Sequence, residues 1–122
     1  MPIVDIELVR EPQAVAPDVS AQALADALGQ AFGSAPGHTW VRLHTLDAAA
    51  YAENDSSLAA ADLPVFVTVL HAHPPLGAAL DAQALAVTRA VATCLACESE
   101  RVHVLYAPPG AGRQAFGGTL VR

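Results

Sequence analysis

Along the chain, hydrophobic and polar positions switch between a period of two and a helical period, and the switches mark out the elements. From Ile3 to Val9 apolar residues alternate with Asp5 and Glu7, which predicts a strand with one buried face. From Ser20 to Phe32 the apolar positions Leu24, Leu28 and Phe32 recur at helical spacing. Ser20 is a natural N-cap, Val19 stands where it can staple onto Leu24, and Gly33 follows as a C-terminal cap. Thr39 to Leu46 reads as a returning strand. Pro64 to His71 opens a third strand whose centre, Val65 to Leu70, is apolar on both faces and so belongs inside a sheet. Asp81 to about Cys97 reads as a second helix capped by Asp81, stapled through Leu80 and Leu85, with Leu85, Thr88, Ala92 and Leu95 on its buried side. Val102 to Tyr106 closes the pattern as a fourth strand.

The two halves of this pattern are copies. Sliding the chain on itself by 61 positions lays Val19-Ser20-Ala21-Gln22-Ala23-Leu24-Ala25 over Leu80-Asp81-Ala82-Gln83-Ala84-Leu85-Ala86, and Val41-Arg42-Leu43 over Val102-His103-Val104. The expected fold class is α+β, with two tandem β-α-β repeats (1–61 and 62–122) forming one domain over 1–122. Right-handed crossovers make the strands parallel within each repeat, giving a four-stranded sheet with both helices on one face. Phe66, Thr68 and Leu70 then lie on the uncovered face. A ring of three such sheets would bury it.

Composition narrows the partners. The chain has 122 residues, 53% apolar and 15% charged, enough for one folded unit with a core. It carries no lysine and six arginines against twelve acidic residues, a net charge of −6. That balance argues against a phosphate-backbone grip on nucleic acid and against anionic membranes. No apolar run approaches a transmembrane span and the start has no signal-peptide pattern, so the expected location is cytoplasmic.

The chemistry starts at residue 2. The chain opens Met1-Pro2, and removal of Met1 turns the Pro2 nitrogen from an imide into a secondary amine, a base. Under the 61-residue offset Pro2 falls over Leu63, and the neighbouring Pro64 is an internal imide, so the second copy has no equivalent amine. Cys94-Leu95-Ala96-Cys97 has redox spacing but sits at a helix C-terminus, where the dipole raises a thiol pKa; it reads as structural. His71-Ala72-His73, even with His103, lacks the carboxylate or cysteine spacing of a zinc site, and no metal or other cofactor is expected. The glycines of the tail are followed by no helix, which excludes a dinucleotide fingerprint.

With the opening Met-Pro-Ile-Val, the duplicated unit of about sixty residues, and the tail Arg113-Gln114-Ala115-Phe116-Gly117-Gly118, the chain resembles the tautomerase superfamily, in particular fused relatives of 4-oxalocrotonate tautomerase. The resemblance covers essentially the whole chain. It implies a homotrimer in which the processed N-terminal proline acts as base or acid on a small keto or enol acid, with Phe116 on a tail hairpin helping to enclose it. Arg42 stands where single-motif relatives carry a substrate-binding arginine; the alternative is an ion pair with Asp5 or Glu7. His71 and His73 occupy a segment where arginines are the common pattern. Arg113 and Tyr106 complete the candidates for holding substrate oxygens, each with a structural alternative, trimer contact for Arg113 and core packing for Tyr106. Three activities stay open: keto-enol tautomerisation, hydration or dehalogenation of an unsaturated acid, and binding without catalysis.

Overall fold

The computed structural model describes residues 1–12 and 19–122. Strand β1 (Ile3–Arg10) pairs in parallel with β2 (Trp40–Asp47) and antiparallel with β3 (Val65–Leu70), and β3 pairs in parallel with β4 (Val102–Tyr106). The order across the sheet is therefore β2-β1-β3-β4. Helix α1 (Ala21–Phe32) connects β1 to β2 and α2 (Ala78–Leu95) connects β3 to β4. This is the α+β architecture expected from the pattern.

Alternation within the strands decides the layers. Val4, Ile6 and Leu8 of β1 and Val65, Val67 and Val69 of β3 are buried against Leu24 and Leu28 of α1 and Val87, Val91 and Ala92 of α2. The intervening residues point the other way, where no helix covers them. There Leu105 is 66% exposed and Phe66, Thr68 and Leu70 are half-buried, beside Asp5, Glu7, Arg42, His44 and His103. The segment after β2 reaches over part of this face, bringing Tyr51 to 5.8 Å from Phe66, ring to ring.

The first helix starts and stops as its sequence dictates. Ser20 Oγ accepts from the Ala23 N–H at 3.0 Å, and Gly33 ends the helix in the left-handed region at φ 65°. The second helix departs from expectation. It begins at Ala78, with Gly77 at the N-cap, and the Asp81 N–H already donates to Gly77 O, so Asp81 lies in the first turn instead of capping. Its buried face is also rotated: Leu85 is 47% exposed, and Thr88 Oγ1 turns back to donate to Ala84 O at 2.8 Å. The core positions Val87 and Val91 match Leu24 and Leu28 at an offset of 63, two more than the letter-by-letter repeat. Two residues correspond to about 200° on a helix, enough to move Leu85 from the core to the outside. Ala92 and Leu95 do face the core as expected.

By length and composition α2, 18 residues with a mean hydropathy of 1.2, is the one helix among the described residues that could cross a membrane, a match the chain-wide reading passed over. In this fold its apolar stripe is a layer of the core, and it carries Asp81 and Arg89. After β4 the chain turns into a two-stranded hairpin, β5 (Ala115–Phe116) and β6 (Thr119–Leu120). Its turn is Gly117-Gly118, with φ 56° and 86°, the pair of positive φ values that a tight two-residue hairpin loop demands.

Candidate active site

Pro2 immediately precedes β1 and is fully buried. Its carbonyl accepts from the Trp40 N–H at 3.1 Å, which locks the head of β1 to the head of β2. Continuing the β1–β3 register one step past Ile3 opposite Leu70 sets Pro2 opposite His71. His71 is half-buried and meets the Phe32 ring edge-on at 5.8 Å. Burial, then the nearby N-terminal ammonium and His73, hold its pKa below the ordinary histidine value. Near neutral pH it is accordingly a neutral imidazole, able to donate or accept a hydrogen bond but supplying little charge.

The tail closes this end of the sheet. The Gly110 N–H donates to His71 O at 3.0 Å and the Ala111 N–H to Ala72 O at 3.2 Å, which sets the chain up to deliver Gln114. Gln114 is only 5% exposed. Its Nε2 donates to the Met1 carbonyl at 3.2 Å, while its Oε1 is buried with no hydrogen-bond partner. An orphaned buried acceptor costs about 1–3 kcal/mol, which makes its position beside the N-terminus a matter of chemistry as well as packing. Sequence reasoning passed over Gln114 because glutamine in a glycine-rich tail reads as surface. The available signal was its place between the tight Pro108 to Gly112 segment and the Ala115-Phe116 strand.

A second group of candidates lies on the open side of β1. Phe116 stacks on Trp40 with ring centroids 4.5 Å apart, and the two, with Ile3, Asp5, Arg42 and Leu70, line a groove of about 390 Å³. Arg42 is held in that groove by a two-pronged ion pair, Nε to Asp5 Oδ1 at 2.6 Å and Nη2 to Asp5 Oδ2 at 2.8 Å. Of the two roles open to Arg42 on the sequence, the ion pair is the one formed within the chain. The hydrogen bond and charge of Arg42 hold the Asp5 carboxyl below its usual range against the opposing effect of burial.

The remaining candidates have other contacts. Tyr106 OH donates to Gln83 Oε1 on α2 at 2.8 Å, and burial raises its pKa. His73 Nε2 lies 2.8 Å from Arg122 O, and Arg113 is exposed in the tail turn, where its backbone N–H bonds to Gly110 O. Pro2 and His71 are thus side by side, Arg42 and Phe116 share the adjoining groove, and Tyr106, His73 and Arg113 are engaged or oriented elsewhere. Two of the acidic residues that water activation could call on are committed as well. Glu53 accepts from Tyr51 OH at 2.6 Å, beside Phe66 at the opposite end of β3 from Leu70, and Asp5 is paired with Arg42. Among the described residues no group of three or more His, Cys, Asp or Glu is placed to hold a metal ion. Cys94 and Cys97 are free thiols, and burial raises the Cys97 pKa.

No protein-family model and no curated protein matches the sequence. Solved structures do. A wild-type fused 4-OT solved as a symmetric trimer superposes with a TM-score of 0.73 at 19% identity, over 98% of this chain and 94% of that one. Pt0534 inactivated by 2-oxo-3-pentynoate gives a TM-score of 0.73 at 18% identity, over 97% and 95%. The macrophage migration inhibitory factor of Oncomelania hupensis gives 0.71 at 18% identity, over 98% and 97%. The likeness is one of fold. The chain has the α+β fold of the fused 4-OT proteins and of macrophage migration inhibitory factor, the fold that the sequence resemblance implied.

Proposed function

We propose that this chain is a cofactor-independent keto-enol tautomerase or isomerase of small α-keto or enol acids, working as a homotrimer with the freed Pro2 amine as general base and acid. The observation that carries the reading is the position of Pro2: the second residue of the chain, buried at the head of a sheet strand beside a neutral histidine, in a fold shared with fused 4-OT. Moving a proton between carbons next to a carbonyl needs a base whose pKa lies near the working pH. An α-amine starts near 7.7–8.0, a proline amine somewhat higher, and an apolar site disfavours the ammonium and brings the value down.

Burial at the head of β1, next to Ile3 and Val4, supplies apolar surroundings for that amine, Phe116 is the candidate wall of the adjoining groove, and His71 is the nearest candidate to polarise a substrate oxygen. Arg42, once released from Asp5, and Arg113 are the candidates for a substrate carboxylate; His73 and Tyr106 have the weaker case, since both are already bonded. The trimer is supported by the uncovered sheet face, with Leu105 and Phe66 on it, and by the trimeric fused 4-OT of the same fold.

The test is ketonisation of phenylenolpyruvate by the purified protein, with removal of Met1 established by intact mass. Pro2→Ala is expected to lower the rate by about 10² to 10⁴, the usual worth of a positioned base. Equal rates for the two proteins, or a retained Met1, would overturn the proposal. Because Pt0534 is inactivated by 2-oxo-3-pentynoate, that compound is the natural covalent probe of the amine, with a mass increase on the N-terminal peptide as the expected result.

A further inference from the structure

We infer that Gln114 is the positioning residue of the N-terminal amine: once Met1 is gone, its orphaned side-chain carbonyl takes its missing hydrogen-bond donor from the Pro2 N–H. The inference rests on the reading that Pro2 is freed. It starts from an atom that the folded chain leaves unsatisfied, since Gln114 is 5% exposed and its Oε1 meets no donor among the described residues. Buried polar groups are nearly always paired, so this one calls for a donor from a water, from another copy of the chain or from another state of the molecule, and its place beside the N-terminus picks out the last.

Geometry identifies that state. Among the described residues the one hydrogen bond of the Gln114 carboxamide runs from Nε2 to the Met1 carbonyl at 3.2 Å, and the Met1 carbonyl carbon is bonded to the Pro2 nitrogen. Covalent C=O and C–N lengths then bound the separation of Nε2 and the Pro2 nitrogen at about 5.8 Å. Excision of Met1 deletes the acceptor of Nε2 and, at the same place, creates a secondary amine. That amine carries one N–H when neutral and two when protonated, so it is a donor in either state. Rotation about the last side-chain torsion, which is soft, puts Oε1 where Nε2 stands, and a shift of up to about 2.5 Å into the space that Met1 vacates brings it within hydrogen-bond reach of the amine.

The loop is built to hold the carboxamide there. A Cβ at Gly110 would lie 3.0 Å from Gln114 Oε1 and 3.4 Å from Gln114 Cβ, so a bare residue is needed for the side chain to fit. The Gln114 carbonyl meanwhile accepts from the Val121 N–H at 2.8 Å, anchoring its backbone to the hairpin. Among the charged and titratable groups of the neighbouring elements, His71 at the end of β3 is the one beside Pro2; His73, bonded to Arg122 O, Arg113 in the tail turn and Tyr106 of β4, bonded to Gln83, are engaged or oriented elsewhere, His38 is stacked on Trp40 near β2, and α1 contributes the uncharged Phe32. Accepting from the protonated amine stabilises it, so Gln114 holds the amine pKa up against the lowering effects of burial and of nearby positive charge.

The experiment is an NMR titration of the Pro2 amine in the processed, ¹⁵N-proline-labelled protein, comparing wild type with Gln114→Leu and Gln114→Glu, each checked by melting and amide dispersion. Gln114→Leu is expected to lower the amine pKa by about half a pH unit to one unit. Gln114→Glu places a carboxylate there and is expected to raise it by about one to three units. If the leucine variant does not fold, the glutamate variant decides alone. An amine pKa that is the same in the folded variants as in wild type overturns the inference, as does a Met1 that is retained. Enol turnover is read separately: shifted titrations without turnover remove the proposed function and leave Gln114 in its role, whereas turnover with unmoved titrations does the reverse.

Discussion

Substituting Gly110 tests the construction of the proline end of the sheet without touching any candidate catalytic group. Its φ is not in the left-handed region, so alanine is compatible with the backbone and the whole penalty is steric. The added Cβ would meet Gln114 Oε1 at 3.0 Å and Leu70 Cδ1 at 3.2 Å, both closer than ordinary contact. Overpacking of this kind costs about 1–3 kcal/mol, and the smaller conformational freedom of alanine in the unfolded chain returns about 0.4–1 kcal/mol. Gly110→Ala is therefore expected to destabilise by about 0.5–2 kcal/mol, a loss of a few degrees in Tm for a chain of this size. Denaturation at one fixed protein concentration measures it, since assembly adds its own stability.

The decisive comparison is a double-mutant cycle with Gln114→Ala. Truncating Gln114 removes the atom that the new Cβ strikes first, so the double variant should be more stable than the sum of the single effects by about 0.5–2 kcal/mol. The Leu70 contact survives in both backgrounds and cancels. Additivity within about 0.3–0.5 kcal/mol would show that Gly110 and Gln114 do not share space, and the account of the buried carboxamide would fall with it.

Three further outcomes follow from the structure. Asp5 has its pKa lowered by the hydrogen bond and charge of Arg42, so its contribution to stability is complete above the unfolded carboxyl value of 3.8 and is lost as pH falls below it; Asp5→Asn should flatten the acid limb of a stability-against-pH curve below about pH 4, and an unchanged limb refutes the linkage. Ala96 ends α2 in the left-handed region at φ 52°; Ala96→Gly should stabilise by about 0.5–1 kcal/mol in chemical denaturation, because the strain it relieves outweighs the extra freedom glycine has when unfolded, and destabilisation would contradict the assigned cap. Leu105, two-thirds exposed on the open sheet face, should be an assembly residue; Leu105→Asp is expected to convert a trimer to smaller species by sedimentation while leaving the helix signal intact, and a trimer of undiminished stability would mean that this face is not the interface.

Elements set by local chemistry were legible in the sequence. Strand β1 showed through its period of two, β3 through a run apolar on both faces, and α1 through the agreement of Ser20, the 24-28-32 stripe and Gly33. The second helix was misread because its apolar content is largely alanine, which gives little contrast between faces; the copied letters then fixed a register two residues away from the one the core selects. In the candidate site, Pro2 was legible as chemistry but its neighbours were not. The nearness of His71 comes from the antiparallel pairing of β1 with β3, a choice between sheet edges that no residue of either strand announces. Gln114 was hidden for a related reason, since its burial depends on a tail folding back across the end of β3 to the head of β1, more than a hundred residues away in the chain.

Alternation along β1 also limits what Arg42 can do. Pro2 has the parity of Val4 and Ile6, which face the helices, whereas Arg42 pairs across the other face with Asp5. Within one chain Pro2 and this arginine therefore lie on opposite sides of the strand, and a substrate touching both would have to pass round its head, where Ile3, Trp40 and Phe116 form the wall. His71, by contrast, shares the side of Pro2 and is kept neutral by its surroundings. The groups that a single chain offers at the amine are then a neutral imidazole and a carboxamide, both suited to a carbonyl or enol oxygen. On the proposed reading a substrate carboxylate would need a full positive charge from Arg113, from Arg42 reached round the head of β1, or from a second copy of the chain, so the affinity for acids, more than the proton transfer, would be the property that depends on assembly.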